Sequence, residues 1–170
     1  MLKAYSAFLD KIDKVLFVSL VFLGSAMTLI MLYQVGLRYF FNASTIWAEE
    51  LVRYLFAWSV MLAASMAIRK NSHLKIDIVI DALPPRGRLV LQFINYIVLL
   101  LFLLYLIVLS YKLVSSTTNN LSAGLRIPMA LPYACVLLGG VLMTLSCVEF
   151  LGKLAQEFKQ LLLKGQEGGS

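Results

Sequence analysis

Four stretches of this chain carry no charge, and one of them is too short to cross a bilayer. Between Lys14 and Arg38 lie 23 uncharged residues, between Arg88 and Lys112 another 23, and between Arg126 and Glu149 a further 22. A transmembrane helix needs about 20 predominantly apolar residues, so each of these can span alone. Between Arg53 and Arg69 there are only 15. At about 1.5 Å per residue that stretch falls short of a hydrocarbon core of about 30 Å. A helix here crosses only by drawing Glu49, Glu50 and Arg53 into its first turns. Ionisable groups at that depth are expensive and usually functional.

Composition places the whole chain in the membrane class. It is 61% hydrophobic and 14% charged, with a mean hydropathy of +0.85. A soluble domain of 170 residues cannot bury that much apolar side chain. The net charge of +6 does not indicate nucleic-acid binding, because the bases sit at span ends rather than on one foldable soluble unit. Cys135 and Cys147 both fall in the last apolar stretch. Twelve residues apart, they stand about 120° round a helix and cannot bridge within it. No metal-type spacing, nucleophile set or phosphate loop is present, and no cofactor is expected. The first apolar run continues past Gly24-Ser25-Ala26 to Gly36, so it reads as an anchor rather than a cleaved signal. The two halves show no common pattern, against an inverted-repeat transporter complete in itself.

Lysine and arginine set the expected orientation. Eleven lie in the N-terminal segment, the middle connection and the C-terminal tail. Four, Arg38, Arg53, Lys112 and Arg126, lie on the opposite side. The expectation is an all-α integral membrane protein with four transmembrane helices. Both termini are cytoplasmic, and short amphipathic segments lie on that side. Residues 1–14 form an amphipathic segment, with Leu2, Tyr5, Leu9 and Ile12 on one stripe and Asp10, Lys11, Asp13 and Lys14 off it. The membrane domain covers 15–152, with spans at about 15–37, 47–68, 89–114 and 127–150, and the tail is 153–170. Ser44 or Thr45 is expected to cap the second span. Ile76, Val79, Ile80 and Leu83 give the middle connection a second apolar face. Pro128 is placed in the first turn of the last span.

The residues that carry chemistry are few. Glu49 and Arg53, four apart and acid first, share a helix face and can pair. Glu50 lies about 100° round and can reach Arg38 or a partner residue. The bland reading is a solvated rim; the sharper one is a polar cluster that locks a subunit interface. Trp47 and Trp58 read as interfacial anchors. In the middle connection, Arg69, His73 and Asp77 form a candidate cytoplasmic polar set. As the sole histidine, His73 supplies neither a haem pair nor a metal triad. Small residues, Ala63-Ala64-Ser65-Met66-Ala67 and Gly139-Gly140, allow close helix approach.

One sequence order is more specific than any single piece. Trp47-Ala48-Glu49-Glu50-Leu51-Val52-Arg53-Tyr54 leads to Trp58 and the small-residue run. Arg69, His73 and Ile76-Asp77-Ile78-Val79 follow, then Leu125-Arg126-Ile127-Pro128. This order resembles the small membrane subunit of tripartite ATP-independent periplasmic (TRAP) transporters, nearest to sialic-acid systems, with dicarboxylate systems similar. The resemblance implies a non-enzymatic scaffold subunit in the bacterial inner membrane. It implies a large polytopic permease partner that uses the sodium gradient, a periplasmic substrate-binding protein, and contact with membrane lipid. The competing expectation is a free-standing four-helix structural or assembly protein with no part in transport.

Overall fold

The computed structural model of the chain describes residues 2–43, 45–69 and 85–167. Four helices account for nearly all of them: α1 (Leu2–Phe41), α2 (Ile46–Arg69), α3 (Pro85–Ser116) and α4 (Ala130–Glu167). Each contains a segment long and apolar enough to cross a membrane: Tyr5–Phe41, Ile46–Arg69, Val90–Ser116 and Ala130–Gln156. His73, Asp77 and the apolar face at 76–83 lie outside the described residues.

Several boundaries differ from the sequence reading. The amphipathic segment 1–14 does not stand apart, because its residues form the first turns of α1. With no glycine or proline between Leu2 and Val15, nothing stops helical propagation there. The last span starts later than expected. Ile127 and Pro128 belong to a tight hairpin before α4: Ser122 N–H donates to the Ile127 carbonyl at 2.9 Å, and Met129 N–H to the Asn120 carbonyl at 2.8 Å. Leu121 and Pro128 form an antiparallel bridge. The helix then runs well past Phe150 to Glu167. Thr45 does not cap α2, since its buried hydroxyl finds no partner among the described residues.

The helices form a layer rather than a closed bundle. Backbones pack α1 on α2, α2 on α4 and α4 on α3, with a lighter contact of α1 on α4. Burial patterns explain the order. The buried residues of the α3 span, Tyr96, Leu103 and Ser110, recur every seven residues, a narrow seam that serves one neighbour. Helix α4 needs two seams, and consecutive glycines supply them. About 100° apart on the helix, Gly139 faces Met61 of α2 and Gly140 faces Ile107 of α3. Ile68, Tyr96, Leu103, Met143 and Cys147 close the core between α2, α3 and α4. Leu16, Leu62 and Met66 close the smaller one between α1 and α2. The outer faces of α1 and α3 stay apolar and exposed, with Phe22, Leu29, Leu32, Leu101, Phe102 and Tyr105 among them.

Candidate functional site: two polar clusters at opposite ends of the layer

Most serine and threonine hydroxyls described in the middle of the layer turn back on their own helices. Ser25, Thr28, Ser59, Ser65, Ser110, Thr144 and Ser146 each donate to a carbonyl three or four residues back in their own helix. Such back-bonding satisfies a hydroxyl without leaving a site. The ionisable chemistry lies at the two ends.

At one end, Arg69 closes α2 and gathers three carboxylates from two other helices. Its Nε donates to Glu149 Oε2 at 2.9 Å, Nη1 to Asp13 Oδ2 at 2.5 Å, and Nη2 to Asp10 Oδ1 at 2.6 Å. Nη2 also reaches the Ser6 carbonyl at 3.0 Å. The guanidinium fork points its donors in several directions, which a single ammonium cannot copy. Glu149 is the most deeply buried acid of the set, at 2% side-chain exposure, and Lys153 approaches its second oxygen at 2.7 Å. Nearby, the Tyr5 hydroxyl donates to the Leu145 carbonyl at 3.0 Å. The cluster therefore pins the start of α1 and the second half of α4 to the end of α2. Arg69 is thus not one of a set of solvated loop charges. Its partners Asp10, Asp13 and Glu149 were missed by sequence reasoning.

At the other end, Glu50 is buried, and it does not meet Arg38 as expected. Its Oε2 accepts the backbone N–H of Gly124 at 2.7 Å and of Leu125 at 2.9 Å. The Tyr54 hydroxyl donates to Oε1. Two converging amides and a phenol satisfy a carboxylate better than one long exposed arginine. The contact explains Gly124, where a Cβ would stand 2.6 Å from Glu50 Oε2 and 3.1 Å from the Trp47 Cα. Glu50 thus fixes the hairpin between α3 and α4 to the start of α2. Arg126, at the edge of that hairpin, has φ 53°, in the left-handed region.

The remaining expected residues do not join these clusters. Glu49 and Arg53 share a helix but are both exposed, and no ion pair joins them. An exposed pair gains little beyond the cost of ordering two side chains. Arg38 is likewise exposed and makes no ion pair among the described residues. Trp47 does sit near the end of the layer, with its ring 6.3 Å from that of Tyr33. Trp58 does not, because it lies at the midpoint of α2 and is half-buried. The two cysteines are free and buried; the Cys147 thiol donates to the Tyr96 carbonyl at 3.5 Å. No group of histidine, cysteine and acidic residues able to hold a metal occurs among the described residues.

Four spans in one layer, a largely apolar middle and polar locks at both ends define a multi-pass membrane protein. Residues 27–157 match the family described as "Tripartite ATP-independent periplasmic transporters, DctQ component". The chain belongs to that family, and so is a small permease subunit of the TRAP type, a transporter component and not an enzyme. It is 29% identical over 144 residues to a putative TRAP transporter small permease protein of Haemophilus influenzae, covering 85% of this chain and 88% of that one. It is 31% identical over 111 residues to the sialic acid TRAP transporter small permease protein SiaQ of Vibrio cholerae, covering 65% and 62%. A third similarity, 38% over 72 residues, covers 42% of this chain but 11% of the sialic acid TRAP transporter permease protein SiaT of Haemophilus influenzae.

Proposed function

We propose that this chain scaffolds a large, sodium-coupled permease subunit. The complex takes up an organic acid delivered by a periplasmic binding protein, across the bacterial inner membrane. The observation that carries this reading is the open layer. Its two outer helices keep broad apolar faces, while Ser25, Ser110 and Thr144 bond back within their own helices. A structure of that kind can support a moving partner, and its described ionisable groups lie at the ends of the layer rather than at its middle. The similarity to a small part of a much longer permease protein supports a large partner. The names of the relatives carry sialic acid, a C4-dicarboxylate and isethionate, which supports an organic acid as the substrate class.

The experiment is reconstitution. The purified chain alone in vesicles is expected to show no uptake of sialic acid under a sodium gradient. Adding a large TRAP permease subunit and a periplasmic binding protein of the same system should establish uptake that depends on all three. Uptake by this chain alone, or undiminished uptake when it is omitted, would overturn the proposal.

In the same reading both termini and the connection at 70–84 face the cytoplasm, supported by eleven lysines and arginines on that side against four. A reporter active only in the periplasm should stay silent when fused after Lys164 and be active within residues 115–124. The reverse pattern contradicts the orientation.

A further inference from the structure

An unpaired base and an unpaired acid face one groove at the Glu50 end of α1 and α2. The groove has a volume of about 460 Å³ and is lined by Gln34, Val35, Arg38, Ala43 and Glu49. Arg38 and Glu49 are both exposed there, yet they form no ion pair with each other or with any described residue. A second groove of about 530 Å³ shares Val35 and Arg38 and adds Tyr39 and Asn42. Arg38 thus stands between two recesses, with a phenol and an amide within the second.

The geometry points to a binding site for a zwitterionic phospholipid headgroup, with its phosphate on Arg38 and its ammonium on Glu49. Charge decides the class. A purely anionic headgroup would satisfy Arg38 but set its oxygens against the Glu49 carboxylate. A simple cation would do the reverse. A ligand carrying both charges, joined by a short linker, satisfies both walls at once. Depth fits a lipid headgroup. Arg38 lies in the last turn of α1, where a spanning helix reaches the headgroups. The Tyr33–Trp47 ring pair lies at the same end, as aromatic side chains do at a membrane interface. Met31, Leu32 and Val35 are exposed on α1 in the turns leading away from the groove, giving acyl chains an apolar track. Asn42 and Tyr39 add donors suited to phosphate oxygens.

The test uses the full chain, delipidated in detergent. Dioleoyl phosphatidylethanolamine and dioleoyl phosphatidylglycerol are added back separately and bound lipid is counted by native mass spectrometry. Both lipids carry the phosphate and only the first carries the ammonium. The wild type should prefer the ethanolamine lipid by about fivefold, the scale of one exposed ion pair. Glu49→Gln should bring the two lipids to equal binding, by lowering the ethanolamine lipid and raising the glycerol lipid. Arg38→Gln should weaken both by a similar factor, and Arg38→Lys should retain most of the phosphate binding. Lys112→Gln, an exposed change on α3, should alter nothing. Both groove side chains are exposed, so helix content by circular dichroism should match the wild type in every variant. Equal binding of the two lipids by the wild type would overturn the assignment, as would a preference that survives Glu49→Gln. So would loss of the preference once the large subunit is co-purified, because Arg38 and Glu49 would then belong to a protein interface.

Discussion

Replacing Arg69 by alanine should leave little folded protein in the membrane. The change strands Glu149, 2% exposed, and removes the common partner of Asp10 and Asp13. Breaking a buried ion pair from one side costs about 3–5 kcal/mol, because the remaining charge stays desolvated. Lys153 offsets part of that loss, since it already reaches the other Glu149 oxygen. Asp10, at 66% exposure, adds little. Arg69→Lys should recover only a fraction, because one ammonium cannot meet Glu149, Asp13, Asp10 and the Ser6 carbonyl together. Glu149→Gln should be milder than Arg69→Ala, since the guanidinium keeps two carboxylates. The measurement is the yield of monodisperse protein and its melting temperature in detergent. Wild-type values for Arg69→Ala would show that helix packing alone holds α1 and α4 to α2.

The two clusters divide the work of holding the layer. Each joins segments distant in sequence at one end of the molecule: Arg69 ties α1, α2 and α4, and Glu50 ties α2 to the hairpin before α4. Between them the described helices meet mainly through apolar and small side chains, with weak sulfur contacts such as Cys147 to the Tyr96 carbonyl. Without water, the hydrophobic effect does not drive helices together, so close packing and end locks must fix the register.

How much of this is legible in the sequence follows from the range of each interaction. The four spans are legible because charge-free length is a local property, and so is the reliance of the second span on Glu49 and Glu50. The Arg69 cluster was missed, although the sequence holds a signal for it. Arg69 and Glu149 each bound an apolar stretch, and an even alternation of spans places them at one membrane face. A base and an acid at the same depth are a pairing signal, which Asp10 and Asp13, three apart on an amphipathic stretch, strengthen. The partner of Glu50 was not legible. Its ligands are backbone amides 74 and 75 residues away, and backbone donors leave no mark in residue type except the glycine that lets Glu50 approach. Nor was the layer, because an apolar face looks the same whether it meets lipid or another helix.

Gly139 supplies the sharpest test of that layer. A Cβ built there lies 2.8 Å from the Met61 Cβ and 3.4 Å from its carbonyl oxygen, so the obstacle is the α2 backbone and the base of a side chain rather than a flexible tip. Gly139→Leu must therefore push α2 away from α4 along the seam that joins the two inner helices. Overpacking typically costs about 1–3 kcal/mol. Here the shift also disturbs the Arg69–Glu149 contact, which spans the same two helices. Gly24 is the internal control: a Cβ there meets nothing within 4 Å. Gly24→Leu should be neutral or slightly stabilising, since leucine is the better helix former by up to about 1 kcal/mol. The two variants add the same side chain to two spanning helices, so hydrophobicity and insertion are matched. Melting temperature in detergent and co-purification with the large subunit should both fall for Gly139→Leu. Gly24→Leu should keep its melting temperature, and any loss of co-purification there would mark α1 as the face that meets the partner. Equal stability of the two variants would mean that α2 and α4 are not in close contact, and the layer order α1–α2–α4–α3 would have to be abandoned.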